Sequence, residues 1–170
     1  MRSCSLLLPF TELLPVKIEQ IKDWLNECGL GDRVYEFDVS SATVELAAQA
    51  LGCEPCLIAK TMSFLVEEHP VLVVLAGDAR VDNHKFKDVF HQKAKMLSHE
   101  QVSELTGFPV GGVCPFLAPE NTKVYLDESL KRFEYVYPAA GTRNSAVKVT
   151  VEELERAVRP AGWVDVGKLP

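Results

Sequence analysis

Residues 57–66 and 71–76 are two apolar, β-rich runs with only four residues between them. Runs of this length so close in sequence pair most simply as an antiparallel hairpin, here turning through Glu67-Glu68-His69-Pro70. Everything else in the chain has to be arranged around that hairpin.

The remaining segments alternate in character. Residues 16–28 put Ile18, Ile21, Trp24 and Leu25 at helical spacing, and Gly29 is a natural stop. Residues 33–37 alternate and read as a short strand. Thr43 is placed to cap a helix over 44–51, with Glu45 in its first turn and Gly52 beyond its end. Asp82 is placed to cap a helix carrying Phe86, Val89 and Phe90. Ser98 with Gln101, and Thr150 with Glu153, are capping-box pairs that open two more helices. Residues 123–126, 133–136 and 146–149 read as strands, and 107–119 is a loop rich in Gly and Pro. Strands and helices mix without strict βαβ alternation. The expected fold is therefore α+β, with a mixed, largely antiparallel sheet surrounded by helices.

A chain of 170 residues has room for one full core. Residues 16–170 are expected to form a single domain and residues 1–15 an N-terminal extension packed on its surface. Leu6-Leu7-Leu8-Pro9-Phe10 after Arg2 has the outline of a stunted signal peptide, but Pro9 interrupts it and Glu12 follows without a small-residue cleavage site. No apolar run approaches the roughly 18 residues of a membrane span. Five scattered cysteines, an odd number, fit a reducing compartment better than a disulfide framework, so the expected location is cytoplasmic, with no membrane partner. A net charge of −6 disfavours a protein that grips long nucleic acid such as DNA through its phosphates, while leaving room for a small basic pocket that takes one RNA end.

Lys60 is the first residue that carries a chemical suggestion. By alternation it shares a strand face with Ile58, Met62 and Phe64, where a lysine is costly unless paired or snorkelling to water. It reads either as an edge-strand charge that blocks aggregation or as a cation at the floor of an anion or ester site. Gly111-Gly112-Val113-Cys114-Pro115 is the second. Adjacent glycines allow close approach of backbone N–H groups to a ligand, as in an oxyanion hole, or simply a tight loop. Cys53-Glu54-Pro55-Cys56 follows a helix and precedes a strand, the reverse of a redox site, and no second pair completes a zinc site. It reads as a turn with two partly buried thiols. Cys114 as a nucleophile needs a histidine base, and His69, His84, His91 and His99 offer no telling spacing. Asp78, Arg80, Asp82, Lys85 and Lys87 read as a solvated helix start. In Gly141-Thr142-Arg143-Asn144-Ser145, a turn before a strand, Arg143 or Asn144 is a further candidate to face a ligand.

Taken in order, Tyr35-Glu36-Phe37-Asp38, Ile58-Ala59-Lys60-Thr61, Gly77-Asp78-Ala79-Arg80-Val81-Asp82 before Lys85, Val110-Gly111-Gly112-Val113-Cys114-Pro115-Phe116, and Ala140-Gly141 before a strand resemble the YbaK family. That family is related to the editing domain inserted in bacterial prolyl-tRNA synthetases. The resemblance spans roughly residues 16–158.

It implies a pocket for the aminoacylated 3′ end of tRNA, lined by Tyr35, Phe37, Cys114, Pro115, Gly141 and Asn144. Lys60 matches the family's essential lysine, and residues 111–115 match the glycine–proline loop that cradles the aminoacyl ester. The implied activity is hydrolysis of mischarged aminoacyl-tRNA, such as tRNA-Pro carrying Cys or Ala, without metal or other cofactor. Gly111 and Gly112 would hold the carbonyl oxygen while Lys60 orients the terminal ribose or phosphate. Aminoacyl-tRNA is the implied partner, and a prolyl-tRNA synthetase a second one. The alternative is a non-catalytic module that binds a tRNA end or a synthetase. Cys114 stands where the family commonly has serine, and Leu117 where it often has glycine. Both departures bear on which amino acid the pocket accepts.

Overall fold

The computed structural model describes residues 18–170. The N-terminal extension expected over 1–15 lies outside the described residues.

The hairpin forms as its sequence demands. Strands β2 (Ile58–Val66) and β3 (His69–Ala76) pair antiparallel from Ala59↔Ala76 to Val66↔His69. Glu67 and Glu68 both take positive φ, 50° and 67°, so the turn is two residues long and Pro70 falls inside β3. The proline is tolerated because the neighbouring strand on that side begins to pair only at Val71. All residues from Leu72 to Ala76 are fully buried, each large one contributing roughly 1.5–3 kcal/mol of transfer free energy.

Four more strands extend the hairpin into a six-stranded sheet. On one side lie β5 (Lys123–Asp127) and β9 (Gly162–Val164), on the other β6 (Tyr135–Pro138) and β8 (Val149–Thr150). The β2–β3 and β6–β8 junctions are antiparallel and the other three parallel, although the long hairpin register dominates. The fold is the mixed sheet with helices that the sequence predicts. The strand expected over 146–149 is divided. Its first part, β7 (Ser145–Val147), pairs with β1 (Val34–Glu36), and the chain changes partner at Lys148, whose N–H donates to Arg33 O at 3.1 Å. A further ribbon joins β4 (Arg80–Val81) to β10 (Gly167–Lys168).

The helices are α1 (Ile18–Glu27), α2 (Val44–Leu51), α3 (Asn83–Phe90), α4 (His99–Thr106) and α5 (Val151–Val158), and α2 to α5 start on the caps the sequence announces. Thr43, Asp82, Ser98 and Thr150 each accept backbone N–H groups, the last two within complete capping boxes. An aromatic file of Phe64, Phe86, Phe90 and Tyr125, with centroids 4.6–5.2 Å apart, packs α3 on the sheet. Trp24 Nε1 donates to Ala157 O at 3.0 Å, tying α1 to α5. Among the described residues no helix is long and apolar enough to cross a membrane.

Candidate active site

The β2–β6 pairing covers only Ile58 and Ala59. Beyond it the edge of β2 faces loops, and a cavity of about 290 Å³ opens there, at the small end of ligand pockets. Ile58, Lys60 and Thr61 of β2 form one side, and Val44 and Ala47 of α2 another. Tyr137 and Ala139, Ser145 and Ala146, Gly111 and Val113, together with Ala59 and the stretch Ser41-Ala42-Thr43, complete the wall. Alanine recurs in this wall, at positions 42, 47, 59, 139 and 146.

Lys60 is half-buried and donates from Nζ to Gly77 O at 3.3 Å. Burial holds its ammonium below the ordinary lysine range, opposed by the charges of Asp78 and Glu45. Gly77 owes its identity to a close approach, since a Cβ there would lie 1.9 Å from Pro55 O. The carbonyl that receives Lys60 is therefore set on a tightly packed turn. The hydroxyl of Thr61 is buried without a hydrogen-bond partner among the described residues.

Three segments are laced together at the rim through Arg143. Its carbonyl accepts from Ser41 N at 2.6 Å and from Ser41 Oγ at 3.0 Å, and its Nε donates to Val110 O at 2.7 Å. Gly111 sits in this lacing at φ +84°, where a Cβ would stand 2.8 Å from Ala42 Cβ.

Of the residues expected from sequence to catalyse or bind, Lys60 and Gly111 line this cavity and Tyr35, Phe37, Gly112, Cys114, Pro115, Gly141 and Asn144 do not. The Gly112 amide is already committed, donating to Pro109 O at 2.9 Å, and the residue is packed against the Thr142 backbone. It shapes the turn and is not an available oxyanion donor. Cys114 is fully buried, donates to Phe116 O, and is pushed up to about 12 by burial. That removes it both as a nucleophile and as a cavity contact. Pro115 and Leu117 line a separate surface depression with Trp24 and Arg159, so the Leu117 departure does not reshape this cavity.

The turn and strand candidates act from behind the wall. Gly141, at φ +95°, is packed near Ile21 and Phe108. Asn144 donates from Nδ2 to Phe37 O at 2.8 Å, and its own carbonyl accepts from Phe37 N at the same distance. Tyr35 pairs with Ala146 and its side chain is largely exposed. Tyr35, Phe37 and Asn144 thus hold β1 against the segment that presents Ser145 and Ala146.

Sequence reading missed Tyr137, whose hydroxyl is raised above the ordinary tyrosine range by burial, and the Ser41-Ala42-Thr43 stretch. It also misread Asp78. The expected solvated helix start begins only at Asp82. Asp78 instead accepts Arg132 through both oxygens, at 2.6 and 3.2 Å, and this contact holds its carboxyl below the usual range. Among the described residues no group of three or more His, Cys, Asp and Glu could hold a metal ion.

Residues 39–157 match the family model described as the aminoacyl-tRNA editing domain. An uncharacterized protein of Bacillus subtilis, YwhH, is 44% identical over 154 residues, covering 90% of this chain and 98% of that protein. The proline–tRNA ligase of Aquifex aeolicus is 36% identical over 90 residues, which cover 52% of this chain but 16% of the ligase. A protein of Enterococcus faecalis, whose name proposes it as a Cys-tRNA(Pro)/Cys-tRNA(Cys) deacylase, is 27% identical across 71% of this chain and 76% of its own. Among solved structures, one proposed as a trans-editing enzyme for prolyl tRNA synthetase superposes with a TM-score of 0.78 at 30% identity, covering 89% of this chain and 96% of that one.

Proposed function

Because the chain belongs to the aminoacyl-tRNA editing domain family, we propose that it hydrolyses the ester of a small amino acid wrongly attached to the 3′ end of a tRNA, tRNA-Pro being the first candidate. The observation that carries this reading is a half-buried lysine ammonium in a small, mostly apolar cavity that Gly111 also lines.

Small substrates are where such a second site is needed. A synthetase pocket gains only about 1–3 kcal/mol per methylene, so near-isosteric small amino acids pass it and have to be removed afterwards. The alanine-rich wall of this cavity suits a side chain of that size. The aminoacyl ester is already activated, so positioning and charge stabilisation supply much of what is required. Lys60 orients the terminal ribose or phosphate and stabilises the negative charge that develops as water adds to the carbonyl. The amide of Gly111 is the loop donor proposed for the carbonyl oxygen, since that of Gly112 is taken. The attacking water then delivers the acid, and the ribose oxygen leaves with a proton. A prolyl-tRNA synthetase is the proposed docking partner.

The test is turnover on a panel of mischarged tRNAs, with protein well below tRNA concentration. Release of free amino acid over many turnovers from at least one small-amino-acid tRNA is expected. Release that stops at one equivalent, or binding alone, would replace the enzyme with a binding module.

A further inference from the structure

Asp78 is the carboxylate with the largest electrostatic influence on Lys60, and it follows directly after Gly77, whose carbonyl receives the ammonium. Yet Lys60 forms no ion pair among the described residues. The reason lies on the other side of Asp78. Arg132 Nη2 meets Oδ1 at 2.6 Å and Nη1 meets Oδ2 at 3.2 Å, so both carboxylate oxygens are held in a fork. Arg132 is itself fixed. Its Nε donates to Ser129 O at 3.0 Å, and its guanidinium lies 4.5 Å from the Phe133 ring centre. Ser129 and Arg132 lie in a short 3₁₀ turn, Glu128–Arg132, and Ser129 Oγ accepts from Ala76 N at 3.1 Å, which joins that turn to the end of β3 beside Gly77.

We propose that Arg132 is a positioning residue that keeps Asp78 from capturing Lys60, so that the ammonium remains directed at the cavity and available to an anionic part of the substrate. This inference rests on the reading of Lys60 as the substrate-facing cation. Neither Arg132 nor Asp78 lines the cavity; the effect passes through which cation the carboxylate holds. Arg132 and Lys60 are the two cations that act on Asp78, so without the guanidinium the carboxylate is left to the lysine, and a lysine in an ion pair is both turned away and neutralised.

The experiment uses the full chain and compares steady-state deacylation by wild type, Arg132→Met, and the double variant Arg132→Met with Asp78→Asn. Methionine keeps much of the arginine stem's packing. Loss of about tenfold or more in kcat/KM is expected for Arg132→Met. In the double variant, where no carboxylate is left to capture Lys60, most of that loss is recovered. A support role for Arg132 gives the opposite result, with the double variant at least as impaired as the single one, and that overturns the proposal. So does wild-type activity in Arg132→Met. Should Arg132→Met fail to fold in thermal melts, Arg132→Gln is read in its place, with a smaller loss and the same recovery on adding Asp78→Asn. Lys60→Met is measured alongside. Full activity there removes the lysine from the reaction, whereas an inactive Lys60→Met with no recovery in the double variant removes only the role of Arg132.

Discussion

Lys60 and Lys85 each reach a backbone carbonyl, Gly77 O at 3.3 Å and Gly167 O at 2.9 Å, but only Lys85 also holds a carboxylate, Asp165 at 2.9 Å. Beside Lys85 the buried carboxylate is matched. Asp127, almost fully buried, accepts from Ser129 N, Val166 N and Gly167 N at 2.8–3.0 Å and so joins β5 to the C-terminal segment. At the cavity the matching is incomplete. Among the described residues the ammonium has a carbonyl but no counter-ion, and the Thr61 hydroxyl is buried without a partner. Contact raises Lys85 above the ordinary lysine range, while burial lowers Lys60 below it. One corner uses its polar groups to hold the chain together, and the other leaves interaction free energy available to a ligand.

The two corners should therefore fail in opposite ways. Lys60→Met removes the unmatched charge. Its deacylation rate is expected to fall by about 10²–10³, the range for losing one preorganised charge-stabilising group, with no fall in Tm. Asp127→Ala leaves two buried N–H donors, of Val166 and Gly167, and the part-buried one of Ser129 without this acceptor, which costs roughly 2–4 kcal/mol of stability. Activity per folded molecule is expected to stay near wild type. Paired thermal melts and initial rates check both, and a Lys60→Met protein that loses both Tm and activity would erase the contrast.

Two glycines extend the comparison from charges to backbone. Gly111 and Gly141 both hold positive φ, +84° and +95°. Alanine at either position costs about 1–3 kcal/mol of backbone strain. The surroundings differ. A methyl group at 111 would press on Ala42 in the cavity wall, whereas at 141 it would meet Ile21 and Phe108 in the interior. Gly111→Ala is expected to raise KM as well as lower Tm, and Gly141→Ala to lower Tm alone. Equal KM for the two would mean that the 111 turn does not bound the substrate.

These glycines also mark how far the sequence could be read. The hairpin, the helix starts and the glycine stops were legible because caps, turns and periodicity are local, and the structure keeps Thr43, Asp82, Ser98 and Thr150 where those rules put them. Lys60 was legible because a charge on an apolar strand is a local contradiction. The rest of the site is set by long-range pairing. The motif 111–115 reads as one unit, yet only its first and third residues reach the cavity, while Cys114 and Pro115 turn away from it. Tyr137 has no local signal, since its position follows from the register Ile58↔Tyr137. Asp78 lies in a charged run that looks solvated until a turn more than fifty residues later brings Arg132 against it. The strands β9 and β10 were missed because distant partners fix them, β5 for β9, and β4 with the Asp127 carboxylate for β10.

The smallest effect gives the sign of the cost at Lys60. Its folded-state pKa is lowered from the ordinary 10.5, chiefly by burial. Below the lowered value both folded and unfolded chains carry the proton, and the folded state bears the whole cost of the half-buried charge. Between the lowered value and 10.5 the unfolded chain binds more protons, so stability rises with pH through that window. Lys60→Met has no such cost at any pH. Its Tm is therefore expected to equal or slightly exceed that of wild type near neutrality, and the gap should close as pH approaches the ordinary lysine range. Arg132→Met should narrow the gap already at neutral pH, because an ion pair with Asp78 would favour the charged lysine in the folded state. A Tm difference that widens with rising pH would mean that the ammonium is stabilised by folding, and the unmatched charge on which the contrast with Lys85 depends would not exist.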